Sequence, residues 1–271
     1  MKQIKAIMVD VDGTLLSSKG YVTERTVNSI KKVREKGILF GLATGRDAIS
    51  CQKLLREWHI EGQIDCIVGK GGSEIVDISL GITKESDYSL DGDLIWEIIE
   101  HYEGMDLNFC IPKDGILLGY KDDDYIRKLS EADKVPYQIV DFHELLKEPQ
   151  GKIMITCHPE YMSEVIEKSK TFNNKQYKSS SLKTTSVLYE YMDPRVSKTN
   201  GLIKAMNLHG ITLENLLVFG DADNDADMIH NAAIGVAMSN GSDRSKSVAD
   251  FITRDNDSDG IAIFLEGNNI I

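Results

Sequence analysis

The run Ile4-Lys5-Ala6-Ile7-Met8-Val9-Asp10-Val11-Asp12-Gly13-Thr14-Leu15 decides how this chain is read. Ile4 to Val9 is apolar apart from one lysine, short enough for a buried strand, and it stops abruptly at Asp10. Two carboxylates one residue apart, directly after a buried strand, are costly unless a positive centre sits between them. The bland alternative is an Asp-Gly turn with solvated acids. The sequence downstream favours a repeating α/β layout. Thr23 is an N-cap, Val27, Ile30 and Val33 share one helical face, and Gly37 is a terminator. Ile38 to Ala43 then reads as a second strand ending at Thr44-Gly45-Arg46, Asp47 to His59 as a helix, and Cys66 to Val68 as a third strand before Gly69-Lys70-Gly71-Gly72. Strand–helix–strand alternation implies parallel pairing with right-handed crossovers, a Rossmann-like α/β sheet.

Residues 82–190 have another texture. They are more polar, carry Asp122-Asp123-Asp124, and hold His101, His143 and His158 and four of the five prolines. Leu94 to His101 and Glu160 to Lys170 read as helices, and Lys152 to Cys157 and Thr185 to Tyr191 as strands, the mark of an α+β insert with a largely antiparallel sheet. From about residue 196 the first texture returns, with a helix near Ser197 or Lys198 and strands at Leu216 to Phe219, Ile234 to Met238 and Phe251 to Thr253. The expectation is one core built from residues 1–81 and 191–271, with 82–190 inserted into it.

The chain has 271 residues, 41% hydrophobic and 27% charged, an ordinary globular balance. No segment approaches the ~20 apolar residues of a membrane helix, and no secretory signal is visible at the N-terminus. Cys51, Cys66, Cys110 and Cys157 are far apart with no C-x-x-C pair, so reduced, buried thiols and a cytoplasmic location are expected. A formal charge of −12 argues against nucleic acid or anionic membrane as partners, and any anionic ligand would need a local positive centre.

Three further elements carry possible chemistry. Thr44-Gly45-Arg46 offers a hydroxyl and an approachable backbone N–H after the second strand, although a helix N-cap region reads the same way. Lys198 begins a helix, where an ammonium beside the N-terminus makes an anion site, while a lone lysine is usually just solvated. Gly220-Asp221-Ala222-Asp223-Asn224-Asp225 follows the strand from Leu216. A calcium loop would place glycine and glutamate where this chain has Ala226 and Ala232, so that reading fails.

Taken in order, these elements resemble the haloacid dehalogenase superfamily of phosphotransferases: D-x-D-G-T at Asp10–Thr14, a hydroxyl at Thr44, Lys198, and G-D-x-x-x-D at Gly220–Asp225. Gly220-Asp221-x-x-Asn224-Asp225-x-x-Met228 and Gly235-Val236-Ala237-Met238-Ser239-Asn240 resemble the Cof-type hydrolases, and the insert's place corresponds to a type IIB cap. The resemblance implies a cytoplasmic Mg²⁺-dependent phosphatase acting on a small phosphorylated metabolite through an aspartyl-phosphate. Asp10 would be the nucleophile and Asp12 the general acid and base. Mg²⁺ would be held by Asp10, the Asp12 backbone and Asp221. Val11, Thr44, Gly45, Lys198 and Asn224 would hold the phosphoryl group, and Asp225 would orient Lys198 or a metal-bound water. Arg46 either contacts substrate or pins its loop. One departure stands out: the family's usual Asn-Gly-Ala after the third strand is here Gly71-Gly72-Ser73.

The three insert histidines read as surface or structural, Asp122 to Asp124 as a solvated face, and Trp96 to Ile99 as core. A phosphomutase-like phosphotransferase and a catalytically silent phosphometabolite sensor remain as alternatives. Release of inorganic phosphate separates the first from a hydrolase, and loss of a catalytic residue would mark the second. The physiological substrate and the oligomeric state are not written in the motifs.

Overall fold

A computed structural model describes residues 3–174 and 179–271. Along the chain run β1 (Ala6–Val9), α1 (Glu24–Glu35), β2 (Leu39–Ala43), α2 (Ala48–Leu54), β3 (Cys66–Gly69), β4 (Glu74–Asp77) and β5 (Ile82–Glu85). Then come α3 (Gly92–His101), β6 (Leu107–Lys113), β7 (Ile116–Gly119), α4 (Asp124–Asp133), β8 (Tyr137–Ile139), α5 (Phe142–Leu145), β9 (Lys152–Cys157), α6 (Met162–Ser169), β10 (Ser180–Lys183) and β11 (Leu188–Met192). The last stretch holds α7 (Lys198–Asn207), β12 (Leu216–Gly220), α8 (Ala226–Asn231), β13 (Ile234–Met238), α9 (Asp243–Val248), β14 (Phe251–Thr253) and α10 (Gly260–Gly267). The chain divides into two compact units, residues 1–85 with 197–271, and residues 86–196.

In the first unit the strand order is β14-β13-β12-β1-β2-β3-β4-β5. β1 lies between β2 and β12, parallel to both, with Ala6 opposite Leu39 on one side and Leu216 on the other. Its residues are apolar on both faces because both faces are covered. Ile7, Val9, Phe40, Leu42, Leu217 and Phe219 pack into one core layer, and Ala6, Met8, Val68, Leu216 and Val218 pack into another with Leu202, Ala205 and Met206 of α7. This is a doubly wound α/β fold. Chain order runs outward from β1 through β2 and β3 on one side and from β12 through β13 and β14 on the other. The reversal between β1 and β12 opens a crevice at their carboxyl ends, and Asp10 and Asp221 directly follow those ends.

Two local readings need correction. The second helix ends at Leu54, not His59: His59 turns to a left-handed φ of 58° and its N–H bonds to the Arg56 carbonyl. The hairpin of β4 and β5, in which β4 runs antiparallel to β3, is not legible in the sequence, because β5 is largely exposed and lacks an alternating apolar face.

In the second unit the order is β10-β11-β9-β6-β7-β8, antiparallel except for the parallel β7–β8 pair. One face packs Ile153 and Ile155 of β9 with Ile95 and Ile98 of α3 and Val165 of α6, while Met154 packs with Ile126 and Leu129 of α4. Asp123 is more than a solvated acid: it caps α4 by accepting from the N–H groups of Tyr125 and Ile126, and also from the Asn108 side chain. His101 bonds the Lys168 carbonyl at 2.8 Å and His143 lies against Trp96, both structural roles. This unit contains a half-open cavity of about 450 Å³ walled by Trp96, Tyr102, Phe109 and Tyr120. Among the described residues no helix is long and apolar enough to cross a membrane.

Gly72 marks a backbone crossing in the first unit. Its φ is +113°, and a Cβ there would stand 1.9 Å from the Ser197 carbonyl oxygen, at the start of α7. Gly72→Ala should therefore cost about 2–4 kcal/mol in urea unfolding, from strain plus a backbone clash. Gly210→Ala, left-handed at φ +64° but with nothing nearby, should cost only about 1 kcal/mol.

Candidate active site

The site is assembled at the β1–β12 crevice. The N–H of Asp10 bonds the Phe219 carbonyl of β12 at 3.0 Å, which fixes the first residue beyond β1. Ser197 caps α7 by accepting from the Asn200 N–H at 3.1 Å, so Lys198 enters as the helix's first residue. The Lys198 ammonium donates to Asp10 Oδ1 and to Asp225 Oδ1, both at 2.6 Å, and is almost wholly buried. The other oxygen of Asp225 accepts from the backbone N–H groups of Asp221 and Ala222, both at 2.9 Å. Asp221 in turn accepts from the Thr14 hydroxyl at 2.7 Å. Carboxylate oxygens of Asp10, Asp221 and Asp225 lie within 4.8 Å of one another.

Burial and charge crowding together set the proton affinities. Burial raises the Asp10 pKa well above the carboxylate range; Lys198 opposes this, and Asp225, Asp221 and Asp12 add to it. Burial pushes Asp221 up to about 6, helped by Asp225 and opposed by the Thr14 hydrogen bond. Burial alone would lower Lys198, but Asp10 and Asp225 outweigh it and hold the ammonium charged. The carboxylates of Asp10, Asp12, Asp221 and Asp225 thus face two cations, Lys198 and Arg46, and the group carries excess negative charge.

That excess tests whether a metal fits. The donors are hard carboxylate oxygens, the set that suits Mg²⁺ or a similar cation. Asp225 is occupied on both oxygens by N–H donors, whereas Asp10 and Asp221 each keep one oxygen outside the hydrogen bonds seen among the described residues. Asn224 Oδ1 is also buried without a hydrogen-bond partner. The residues fit a cation held mainly by Asp10 and Asp221.

The other sequence-selected residues lie on adjoining loops. Arg46 grips the Asp12 carboxylate through two nitrogens at 2.7 and 2.8 Å. Thr44, buried after β2, accepts from the Arg46 N–H at 3.1 Å, and its carbonyl accepts from the Gly71 N–H at 3.0 Å. Val11 closes the turn, its carbonyl accepting from Leu15 and Leu16. Gly71 adopts φ 70°, ψ 17°, the left-handed region that glycine and asparagine both tolerate. Glycine at this position therefore suits the turn as an asparagine would. Sequence reasoning missed Thr14 as the partner of Asp221, and Asn240, whose amide donates to the Gly13 carbonyl at 2.8 Å. Both lie inside quoted motifs, but only the fold shows what they touch.

Fold and site define the class: a doubly wound α/β protein with an acidic site at the topological switch. A family model described as haloacid dehalogenase-like hydrolase matches residues 7–265, and the chain belongs to that family. It is 26% identical over 260 residues to the 5-amino-6-(5-phospho-D-ribitylamino)uracil phosphatase YcsE of Bacillus subtilis (strain 168), covering 96% of this chain and 93% of the relative. It is also 26% identical over 272 residues to the chloroplastic endoribonuclease YBEY of Arabidopsis thaliana, where 94% of this chain spans about half, 45%, of the relative's length. A solved haloacid dehalogenase-like hydrolase from Bacteroides thetaiotaomicron superposes with a TM-score of 0.82 at 25% identity, covering 98% and 100% of the two chains. A solved subclass IIB sugar phosphatase of the superfamily shares the fold, with a TM-score of 0.82 at 22% identity over 98% and 100%. The Cof-type, subclass IIB reading of the sequence agrees with these likenesses.

The raised pKa of Asp221 gives a pH prediction. Without a cation the folded state holds the Asp221 proton more tightly than the unfolded state, so this group's stabilising contribution is present at low pH and is lost as pH rises through about 6. A divalent cation needs the deprotonated carboxylate. Mg²⁺ should therefore raise the melting temperature at pH 7.5, and the increment should shrink as pH falls through about 6. Differential scanning fluorimetry with and without EDTA across pH 5–8 checks this; an increment independent of pH would contradict it.

Proposed function

We propose that this chain hydrolyses a small phosphorylated metabolite, a sugar phosphate or a phosphorylated cofactor or vitamin precursor, using Mg²⁺ and an aspartyl-phosphate on Asp10. Its broader class, a phosphoric monoester hydrolase, follows from family membership and from relatives that are phosphatases. The observation that supports the mechanism is the buried Asp10–Lys198–Asp225 bridge, which holds a carboxylate just beyond β1 beside a fixed positive charge.

In this reading an Asp10 oxygen attacks phosphorus and the bond to the leaving oxygen breaks, giving an acyl phosphate. Asp12 protonates the leaving oxygen, then takes a proton from water as that water attacks the same phosphorus and frees Asp10 and inorganic phosphate. Arg46 holds the Asp12 carboxylate in place between these transfers. Lys198 balances charge on the transferring group, with Thr44, Gly45, the Val11 backbone and Asn224 as further contacts. Mg²⁺ on Asp10, the Asp12 carbonyl and Asp221 would supply Lewis-acid neutralisation of the phosphoryl oxygens. Asp225, committed to Lys198 and two backbone N–H groups, positions rather than reacts.

Small substrates are supported by the likenesses. The Bacillus relative is a ribitylaminouracil phosphatase by name, and a structural neighbour is a sugar phosphatase. The inserted unit, residues 82–190 by sequence texture, would serve as the cap that limits access. All four cysteines are buried, which supports a reducing, cytoplasmic setting.

The test is inorganic phosphate release from sugar phosphates, nucleotides, pyridoxal phosphate and phosphoribitylaminouracil. Turnover should require Mg²⁺, vanish with EDTA, and drop by about 10³-fold or more in Asp10→Asn. Wild-type turnover in that variant, or an isomeric phosphate formed without free phosphate, would overturn the proposal.

A further inference from the structure

Asp221 is held by more than its neighbours in the acidic cluster. Its backbone carbonyl accepts two hydrogen bonds from beyond β13, one from the Ser242 N–H at 2.7 Å and one from the Ser245 hydroxyl at 2.7 Å. Ser245 is fully buried in the first turn of α9. It is not needed to start that helix, because Ser242 caps it by accepting from the Ser245 N–H at 3.1 Å. The hydroxyl's other close acceptor is the Ser242 carbonyl at 2.9 Å, so its proton is shared between that carbonyl and Asp221. Gly241 lets the two segments approach: a Cβ there would stand 2.8 Å from the Asp221 carbonyl oxygen and 2.9 Å from Ser245 Oγ.

The Asp221 residue is thus clamped at three points. Its N–H is bound to Asp225, its carbonyl to Ser242 and Ser245, and one carboxylate oxygen to Thr14. With the peptide fixed on both sides, the remaining carboxylate oxygen has little freedom. We propose that Ser245 is a positioning residue for the cation site, acting through the Asp221 carbonyl to hold the Asp221 carboxylate in its binding direction. The inference rests on the reading that Asp10 and Asp221 hold the cation. Groups that orient a metal ligand from behind typically govern affinity by tenfold or more, and the remaining Ser242 N–H keeps the carbonyl satisfied when the hydroxyl is removed.

The measurement is Mg²⁺ binding by isothermal titration calorimetry on the full chain, beside the melting temperature in EDTA. Ser245→Ala should weaken Mg²⁺ about tenfold. Ser242→Ala, which removes the helix cap but keeps the N–H on Asp221, should lower the melting temperature while leaving Mg²⁺ affinity within about twofold of wild type. Equal affinity in Ser245→Ala and wild type, or an equal loss in both serine variants, would overturn the role of Ser245. Asp221→Asn is measured in parallel: if it binds Mg²⁺ as wild type does, the underlying reading of the cation site fails instead.

Discussion

The rest of the site depends on one buried ammonium. Lys198 lies between Asp10 and Asp225 at 2.6 Å from each, with all three side chains nearly or wholly buried. Removing one charge from such a group leaves the others uncompensated in a medium that solvates them poorly, a loss larger than a surface ion pair could cause. The bridge also ties three distant chain segments to one point. Asp10 comes from the end of β1, Lys198 from the start of α7, and Asp225 from the turn after β12.

The sheet makes that convergence possible. A parallel, doubly wound sheet delivers every strand's carboxyl end to one edge, and the order reverses between β1 and β12. The apolar residues on both faces of β1 follow from helices packing on both sides, and the polarity begins where that cover ends, at Asp10. Glycines then admit close passage: the turn at Gly71 and Gly72 runs against Ser197 and Lys198, so the position of Lys198 is set by backbone contact as well as by charge.

An acidic protein acting on an anion is not a contradiction once charge is counted locally. Burial raises the proton affinity of Asp10 and Asp221, the neighbouring carboxylates add to it, and their repulsion favours a divalent cation. Family membership and the likeness to phosphatases agree with that electrostatic argument, which stands on the residues alone.

Much of this could be read from the chain in one dimension. The apolar runs before Asp10, Thr44 and Asp221 announced buried strands ending in polar groups, and the order of D-x-D-G-T, Thr44, Lys198 and G-D-x-x-x-D pointed to the family, because a strand's burial and a short motif are local properties. The antiparallel hairpin of β4 and β5 was hidden, since an edge strand with an exposed face carries no periodic signal. Arg46 stood undecided until the fold put its guanidinium on Asp12, and Asp123 looked solvated until it proved to cap α4. Thr14, Asn240 and Ser245 gave no sign of their partners. Thr14 and Ser245 meet Asp221 more than twenty residues away in sequence, as Asn240 meets Gly13, and contacts of that kind are decided by which segments the tertiary structure brings side by side.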